Sequence, residues 1–245
     1  MSLPIFFYAF PVTINELVQL PEETSKHIVQ VLRMDSGEQL QLADGKGNLH
    51  LVSIAEPHKK KCIIKVLSTQ QSAPPVRKVS IAISLLKNAS RFEWFIEKAT
   101  EIGVTEIIPL ICERTERQHF KKERFENILI SAMLQSQQSW LPVLHQPVTY
   151  EQLFREEDTM LAGQKFIAHC EEQQRTSLVA AANPSQASQL ILIGPEGDFT
   201  PLEIKLALDH HFMPVTLGDT RLRAETAGVV AATILCIQCP FAGSH

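Results

Sequence analysis

Hydrophobic and polar residues follow two different periods along the chain, which divides the sequence into two parts. Up to about residue 70, apolar and polar residues alternate in QLQLAD and NLHLVSIAE, and CIIKVLS follows. A period of two indicates strands with one buried face, and the D-G-K-G sequence at 44–47 predicts a hairpin turn. We therefore predict a small β-barrel with one helix, whose pattern places Ile28, Val31 and Leu32 on one side.

A polar segment with two prolines follows the first part. Pro74 and Pro75, in STQQSAPPVRK, keep the preceding backbone extended and prevent a helix or a central strand. Beyond them, the apolar runs VSIAISLL, EIIPLIC, KFIAHC and LILI alternate with helical patterns. This alternation is typical of βα units around a mostly parallel sheet. We predict two domains, residues 1–72 and 73–245, of which the second is α/β.

Residues 190–232 contain two successive units of strand, glycine turn and helix. In LILIGPEGDFTPLEI the strand ends at Gly194, and the T-P-L-E sequence at 200–203 has the pattern of a helix N-terminus with a capping box. In VTLGDTRLRAETA, Gly218 follows the strand, while Arg221 and Arg223 precede a helix of small residues. Two glycine turns at neighbouring strand ends favour a ligand crevice.

The glycine turn at 194–197 carries an acidic residue, Glu196. A carboxylate there repels phosphate and favours a cationic ligand, so a sulfonium or an amine fits better than the phosphates of a nucleotide. A strand-to-helix turn that binds no ligand is the alternative on these residues alone.

Composition and charge exclude several classes of protein. The formal net charge is −4 and the pI is near 6.1, which argues against coating nucleic acid by bulk charge but leaves a local basic patch possible. The N-terminal run MSLPIFFYAFP lacks the basic residues of a secretory signal, and its prolines indicate an edge strand. The longest apolar helical run, residues 227–237, is too short to span a bilayer. We expect a cytoplasmic protein without membrane contact.

Several common catalytic signatures are missing from the sequence. It contains no G-x-S-x-G, H-E-x-x-H, P-loop or G-x-G-x-x-G motif, which argues against serine hydrolases, zinc proteases, nucleotide hydrolases and standard dinucleotide enzymes. Cys236 and Cys239 form one C-x-x-C pair in apolar surroundings, without a second pair to complete a zinc site. We interpret them as small buried residues and predict no metal site.

Several motifs together resemble one known family over nearly the whole chain. They are HIVQVLRMDSGEQLQLADGKG, LLK followed by Arg91, IEKATEIGVTEIIPL, Arg114, LIGPEGDFTPLEI and LGDTRLRAETA. In their order and spacing they resemble the RsmE family of 16S ribosomal RNA uridine N3-methyltransferases. The resemblance implies a PUA-like β-barrel followed by a SPOUT domain with a trefoil knot. It also implies S-adenosylmethionine as methyl donor and a homodimer that acts on 16S rRNA or the small ribosomal subunit.

The same resemblance implies which residues bind the cofactor. The knot loops correspond to 168–170, 194–197 and 217–223. The expected cofactor-binding residues, taken from these loops and the strand and helix that adjoin them, are Ala168, His169, Ile193, Gly194, Pro195, Glu196, Gly197, Leu217, Gly218, Leu222 and Thr226. On its own, His169 is more often a packed histidine than a ligand.

Two residues are candidates for catalysis. Arg223 is expected to stabilise the negative charge that develops on uracil when N3 loses its proton. Its alternative role is an ion pair with Glu225 or Asp219 that only fixes the turn. Glu225 is either a base or an anchor at the helix start, and the anchor is favoured because a carboxylate there interacts well with the helix dipole.

Candidate RNA contacts come from basic residues in both parts of the chain. From the first part they are His27 and Arg33, and from the second Arg91, Lys98, Arg114, Arg117, Lys121 and Lys122. Phosphate contacts would set the register, while the target base must leave its stack to reach the pocket. The segment CERTERQHFKKER also contains three glutamates, so an ordinary solvated helix start is the alternative there.

The sequence departs from the family pattern at a few positions. Ile5 stands where an early arginine is frequent, and Leu134-Gln135 and Gln137-Gln138 replace a Glu-Gln, glycine and arginine pattern. Ala224 replaces a threonine and Arg221 an apolar residue, while the cofactor glycines and Glu196 are intact. The alternatives to a uridine N3-methyltransferase are a SPOUT enzyme for another RNA position and a non-catalytic rRNA-binding assembly factor.

Overall fold

A computed structural model of the chain describes residues 3–116, 119–155, 163–170 and 176–237. They form two compact units. The first unit has the residues up to Pro74 together with Met133–Leu141, and the second has Pro75–Ala132 together with the described residues from Pro142 onward. The segment 133–141 is joined to the rest of the first unit by two backbone hydrogen bonds of 2.9 Å, from Gly47 to Ser139 and from Leu141 to Gly45. The indole N–H of Trp140 also donates to the Ala73 carbonyl at 3.0 Å.

The first unit contains one five-stranded sheet in the order β1-β3-β4-β5-β2. Apolar side chains on its inner face, among them Leu40, Leu42, Val52 and Ile64, form the core of the unit. The predicted D-G-K-G hairpin turn is confirmed between β3 and β4, and the N-terminal run lies at a sheet edge as β1. The strands are β1 Ile5–Phe7, β2 Leu17–Gln19, β3 Gln39–Ala43, β4 Asn48–Glu56 and β5 Ile63–Gln71.

The helix of the first unit differs from the prediction. A short α-helix, α1 Glu22–Lys26, continues as a π-helical turn, His27–Val31. The wider turn changes the direction of the side chains after Ile28. Of the three residues predicted to share a buried face, Ile28 is buried, whereas Val31 is 66% and Leu32 41% exposed. The prediction that all three share a buried face was therefore wrong for Val31 and Leu32.

The second unit alternates strands and helices, as predicted. Its strands are β6 Lys78–Ser84, β7 Glu106–Ile111, β8 Val143–Leu144, β9 Val148–Thr149, β10 Gln164–Ala168, β11 Thr176–Ser177, β12 Ser188–Ile193 and β13 Met213–Thr216. The helices that follow β6 in the chain are α2 Ala89–Ile102, α3 Lys122–Gln135, α4 Tyr150–Leu153, α5 Leu178–Ala181, α6 Pro201–Asp209 and α7 Ala224–Ile237. The α/β class of this part is confirmed.

The sheet of the second unit is parallel throughout its described strands. Its order is β11-β13-β10-β12-β6-β7-β8, and β9 also pairs with β7. β10, β12 and β13 are therefore neighbours, and these are the strands whose following loops the resemblance assigns to the knot. The threading of the chain through that knot stays a prediction.

Helix α7 packs closely on α2 and on strands β6 and β12. The contact depends on Gly228, because a Cβ atom there would lie 2.6 Å from the Phe95 ring and 3.1 Å from Ile83. Gly103, with φ of 100°, ends α2 in the left-handed conformation, as its position in the sequence predicts. Within the described part of the chain, no helix combines the length and apolar character needed to cross a membrane.

Candidate active site

The candidate site lies where three parallel strands of the second unit end. In the sheet register Ala168 of β10 is opposite Ile193 of β12 and Val215 of β13. Because neighbouring parallel strands end at the same edge, the loops that follow them meet there. These are the three loops that the family resemblance assigns to the cofactor.

Two adjoining cavities lie between these loops. The first has a volume of about 320 Å³ and is bordered by the glycine turn after β12. The second has a volume of about 370 Å³ and is bordered by the loop after β13. Both are lined by Ala168, Cys170, Arg221, Leu222 and Ala227. Together they form a crevice of the size that small-molecule ligands occupy.

The first wall of the crevice is the glycine turn after β12. Gly194 allows close packing, because a Cβ atom there would lie 3.1 Å from the Phe199 ring. Glu196 points out of the turn, and its Oε1 atom accepts a hydrogen bond of 3.1 Å from the backbone N–H of Lys87. The turn thus places a carboxylate at the rim of the first cavity.

Asp198 joins this turn to the loop after β10. Its Oδ2 atom accepts a hydrogen bond of 2.7 Å from the backbone N–H of Cys170, and its Oδ1 atom accepts one of 2.8 Å from Phe199. The backbone of Asp198 is left-handed, with φ of 63°. Sequence reasoning missed this residue, although aspartate is one of the few side chains that often adopt this conformation in turns.

Arg114 supports the same turn from outside. Its Nη1 atom donates a hydrogen bond of 2.7 Å to the carbonyl of Gly197 and a longer one of 3.4 Å to that of Phe199. The guanidinium thus binds two backbone carbonyls next to the first cavity. Its predicted contact with RNA stays a prediction.

The helix that follows the glycine turn begins as the sequence predicts. Thr200 accepts from the backbone N–H of Glu203, and Glu203 accepts from that of Thr200, which completes the capping box. The other oxygen of Glu203 accepts a hydrogen bond of 2.9 Å from the backbone N–H of Glu113. The cap therefore also connects α6 to the segment after β7.

The second wall of the crevice is the loop after β13. Gly218 has φ of 149°, a conformation that disfavours other side chains, and the Thr216 hydroxyl donates to its carbonyl at 2.8 Å. Arg221 and Arg223 are exposed on this loop and line the cavities. Neither guanidinium makes a hydrogen bond or ion pair with a described residue.

Glu225 forms its ion pair with Arg91 and not with Arg223, the partner considered from the sequence. Its Oε1 atom lies 3.6 Å from Nε of Arg91, and Glu225 is only 7% exposed. Its Oε2 atom has no hydrogen-bond partner among the described residues. The alternative in which Arg223 forms an ion pair with Glu225 or Asp219 is not observed there. Arg91 of α2 instead fixes the start of α7.

Most of the predicted cofactor residues lie around the two cavities. Two do not line either cavity: Gly197, whose carbonyl binds Arg114, and Thr226, in the first turn of α7. The predicted residues that line a cavity are Ala168, His169, Ile193, Gly194, Pro195, Glu196, Leu217, Gly218 and Leu222. His169 is 4% exposed and borders the second cavity.

The remaining candidates are spread over the molecule. Lys98 binds Glu97 at 2.7 Å and Glu101 at 2.9 Å on the surface of α2. Lys121 is exposed, and Lys122 lies 3.5 Å from Glu126. Arg117 and Cys239 are outside the described residues, and Cys236 is half-buried.

The first unit presents a mixed basic and apolar surface. His27 and Arg33 are exposed at either end of the segment that carries the exposed side chains of Val31 and Leu32. The His27 ring packs edge-on against Phe6, with the ring centroids 5.5 Å apart. These four neighbouring residues, His27, Val31, Leu32 and Arg33, are called the α1 surface below.

Family models match both parts of the chain. The RNA methyltransferase domain matches residues 72–236, and the RNA methyltransferase PUA domain matches residues 20–67. The two matches confirm the predicted fold class, a PUA-like domain followed by a parallel α/β methyltransferase domain of the SPOUT type. The predicted β-barrel of the first part is a half-barrel in the structure.

Individual relatives agree with these matches. The chain is 33% identical over 89% of its length to the ribosomal RNA small subunit methyltransferase E of Synechocystis, 72% of which is covered. A methyltransferase from Legionella pneumophila, solved with bound S-adenosylmethionine, is 30% identical with a TM-score of 0.84, over 96% of this chain and 97% of that chain. The methyltransferase E of Neisseria gonorrhoeae, also bound to S-adenosylmethionine, is 25% identical with a TM-score of 0.86, over 97% and 98%. The chain belongs to the ribosomal RNA small subunit methyltransferase E family.

Proposed function

We propose that the protein transfers a methyl group from S-adenosylmethionine to N3 of a uridine in the 16S rRNA of the small ribosomal subunit. The observation that carries this proposal is the crevice at the ends of β10, β12 and β13. It combines two glycine turns, a carboxylate at the rim and two arginines, Arg221 and Arg223, that pair with no described residue. The names of the relatives support the choice of substrate, and two solved structures with the same fold contain the cofactor.

The residues of the crevice fit the chemistry of S-adenosylmethionine. Gly194 and Gly218 let the backbone approach a ligand closely, and apolar side chains such as Ile193 and Leu222 suit an adenosine. Glu196 and Asp198 place negative charge next to the first cavity, which favours a cationic ligand. When bound, S-adenosylmethionine supplies a methyl group that is already activated for transfer to a nucleophile.

Arg223 is the proposed residue that assists the loss of the uracil proton. Its guanidinium is exposed at the first cavity and is not held by another described residue. A donor there stabilises the negative charge that spreads onto the uracil oxygens as N3 loses its proton. Glu225 acts as an anchor because its carboxylate is buried beside Arg91, and it does not line either cavity.

RNA binding is assigned to the PUA-like part, residues 1–72, as well as to the methyltransferase part. The α1 surface offers a cation in Arg33 for phosphate and apolar groups for sugars and bases. Because N3 lies on the Watson–Crick edge, the target uridine has to leave its pair and stack before it can enter the crevice. The protein is expected to act in the cytoplasm, where its ribosomal substrate is found.

A homodimer is the expected active form. Helix α7 is apolar on most of its surface, and beyond the side that packs on α2 it leaves Val229, Val230 and Ile234 half-buried and Ile237 62% exposed. A helix that is hydrophobic on nearly all sides usually has a further partner. A second copy of this chain would cover that face and lie beside the loop that precedes α7.

The proposal can be tested in two steps with the purified full-length protein. Calorimetry with S-adenosylmethionine, after removal of any co-purified cofactor, should show binding. Absence of binding would rule out the proposed reaction and also methylation of another RNA position. The loaded protein should then transfer labelled methyl groups to unmethylated small subunits and leave large subunits unlabelled. Equal labelling of both subunits would contradict the assignment of the substrate.

A further inference from the structure

Most cations close to the crevice are already bound within the protein. Arg91 lies beside Glu225, and Lys87 forms an ion pair of 2.6 Å with Glu116. Arg114 donates to the carbonyls of Gly197 and Phe199. These side chains hold the loops in place, and using them for RNA would leave carboxylates or carbonyls without their partners.

Arg221 differs from these residues in two respects. It is exposed and makes no hydrogen bond or ion pair with a described residue. It also lines both cavities, so Arg221 lies where the two cavities adjoin. Its neighbours Asp219 and Thr220 are exposed as well, which places this part of the loop at the mouth of the crevice rather than at its floor.

The charges around the crevice indicate an anionic partner for Arg221. Glu196, Asp198 and Arg223 all line the first cavity. The two carboxylates favour the cationic groups of the cofactor, and Arg223 is assigned above to the uracil. Since the chain carries a net charge of −4, it has no bulk attraction for RNA, and binding of the target nucleotide depends on local cations. An unpaired arginine at the mouth is suited to a phosphate, which its planar fork binds with two hydrogen bonds.

We propose that Arg221 binds a backbone phosphate next to the target uridine and so fixes the position of that nucleotide over the crevice. This inference rests on the proposed function. The competing anion is the carboxylate of the cofactor. A phosphate is favoured because Arg221, like Asp219 and Thr220 beside it, is exposed, whereas the predicted cofactor residues from Ile193 to Pro195 are buried.

The test compares Arg221→Ala with the unchanged protein in two binding measurements. The first is the affinity for unmethylated small ribosomal subunits between about 50 and 200 mM salt, the range in which phosphate contacts dominate the salt dependence. The second is the calorimetric affinity for S-adenosylmethionine. We expect subunit affinity to fall about tenfold and the slope of log K against log salt to decrease by about 0.7 to 0.9. Cofactor affinity should fall less than subunit affinity, because Arg221 borders the crevice but its charge is assigned to the phosphate.

Two further variants make the result specific. Arg221→Lys keeps the charge without the bidentate fork, so it should restore most of the salt slope and only part of the affinity. Lys205→Ala removes an exposed cation of α6 that pairs with Asp209 and lines neither cavity, and it should behave like the unchanged protein.

Two results would overturn the inference. One is an unchanged salt slope in Arg221→Ala. The other is a loss of cofactor affinity with subunit affinity preserved, which would assign Arg221 to the cofactor carboxylate. Both measurements are of binding and need no turnover. An absence of N3-methyluridine with the unchanged protein would therefore refute the proposed reaction separately.

Discussion

The carboxylate of Asp198 accepts a hydrogen bond of 2.7 Å from the backbone N–H of Cys170 and thereby joins two loops of the crevice. One loop follows β10 and the other follows β12, so the contact connects parts of the chain that are 28 positions apart. Because the first cavity is lined by both loops, its shape depends on this hydrogen bond.

Replacement of Asp198 should weaken cofactor binding. Asp198→Ala removes the acceptors for Cys170 and Phe199 and places alanine at a φ of 63°, so we expect cofactor affinity to fall about tenfold or more. Asp198→Asn keeps an acceptor and tolerates the left-handed backbone but removes the charge beside the first cavity, so it should lose less affinity than the alanine variant. Calorimetry with S-adenosylmethionine measures both. Equal affinities for the alanine variant and the unchanged protein would show that the loops do not need this connection.

Arg114 should contribute to cofactor binding through the glycine turn. Arg114→Ala removes the donor to the Gly197 carbonyl, and we expect cofactor affinity to fall by about three- to tenfold because the turn loses a charge-assisted hydrogen bond. Arg124→Ala is the matched control, since this exposed arginine binds Glu93 on the helix surface. If Arg114→Ala lowers only RNA affinity and leaves cofactor affinity intact, the role as an RNA contact is correct instead.

The ion pair between Arg91 and Glu225 should stabilise the contact of α2 with α7. Arg91→Ala leaves a carboxylate that is 7% exposed without its cation, so we expect the free energy of unfolding to fall by about 2 kcal/mol, between the values for exposed and buried pairs. In Arg91→Ala with Glu225→Gln the loss should be smaller, because no charge is left uncompensated. Denaturant unfolding of Arg91→Ala, Glu225→Gln and the double variant measures the coupling free energy between the two side chains. Additive effects would mean that the two side chains do not interact.

Glu106 should make the protein sensitive to acid. Burial by itself raises the pKa of Glu106, but hydrogen bonds from His145 and Ser80 and the charge of Lys78 outweigh it and lower the pKa from 4.5 to about 2. A carboxyl whose pKa is lower in the folded state stabilises the fold above its unfolded pKa. We therefore expect about 2 to 3 kcal/mol of this stabilisation to be lost as the pH falls from 4.5 towards 2.

Glu106→Gln tests this directly when unfolding is followed over that pH range. The variant should be less stable at neutral pH and should lose less stability on acidification than the unchanged protein. Glu126→Gln, which changes a more exposed carboxylate at 3.5 Å from Lys122, serves as the control. An acid dependence in Glu106→Gln as steep as in the unchanged protein would assign the sensitivity to other groups.

Arg223 should be needed for turnover more than for cofactor binding. Arg223→Ala removes a donor to the charge that develops on the uracil, so we expect kcat to fall by about 100- to 1000-fold. Cofactor affinity should change by no more than about twofold, since the donor acts on the reacting base. Single-turnover methylation of small subunits measures the first and calorimetry the second. Unchanged turnover would leave Arg223 with a role in the fold of the loop only.

Local patterns predicted the elements of this protein well. The capping box of Thr200 and Glu203, the end of α2 at Gly103 and the hairpin after β3 all depend on residues a few positions apart. Such interactions are visible in the sequence because turn and cap chemistry uses a small set of residue types. The glycine turns of the crevice belong to the same group.

Long-range pairing could not be predicted in this way. The partner of Glu225 is Arg91, which is distant in sequence, and nothing in either local pattern indicates the contact. The same is true of Arg114, whose hydrogen bonds to the glycine turn span more than 80 positions. The exposure of Val31 and Leu32 was not predicted for another reason. The π-helical turn replaces the α-helical period from which their buried face was predicted.

The position of the transferred methyl group tests the proposed function most directly. Unmethylated small subunits are incubated with the protein and S-adenosylmethionine that carries a labelled methyl group, and the 16S rRNA is then digested to nucleosides. The label should be recovered as N3-methyluridine, and the Arg223→Ala protein should produce much less of it. Label on guanosine, on ribose or at another position of uracil would contradict the proposed reaction.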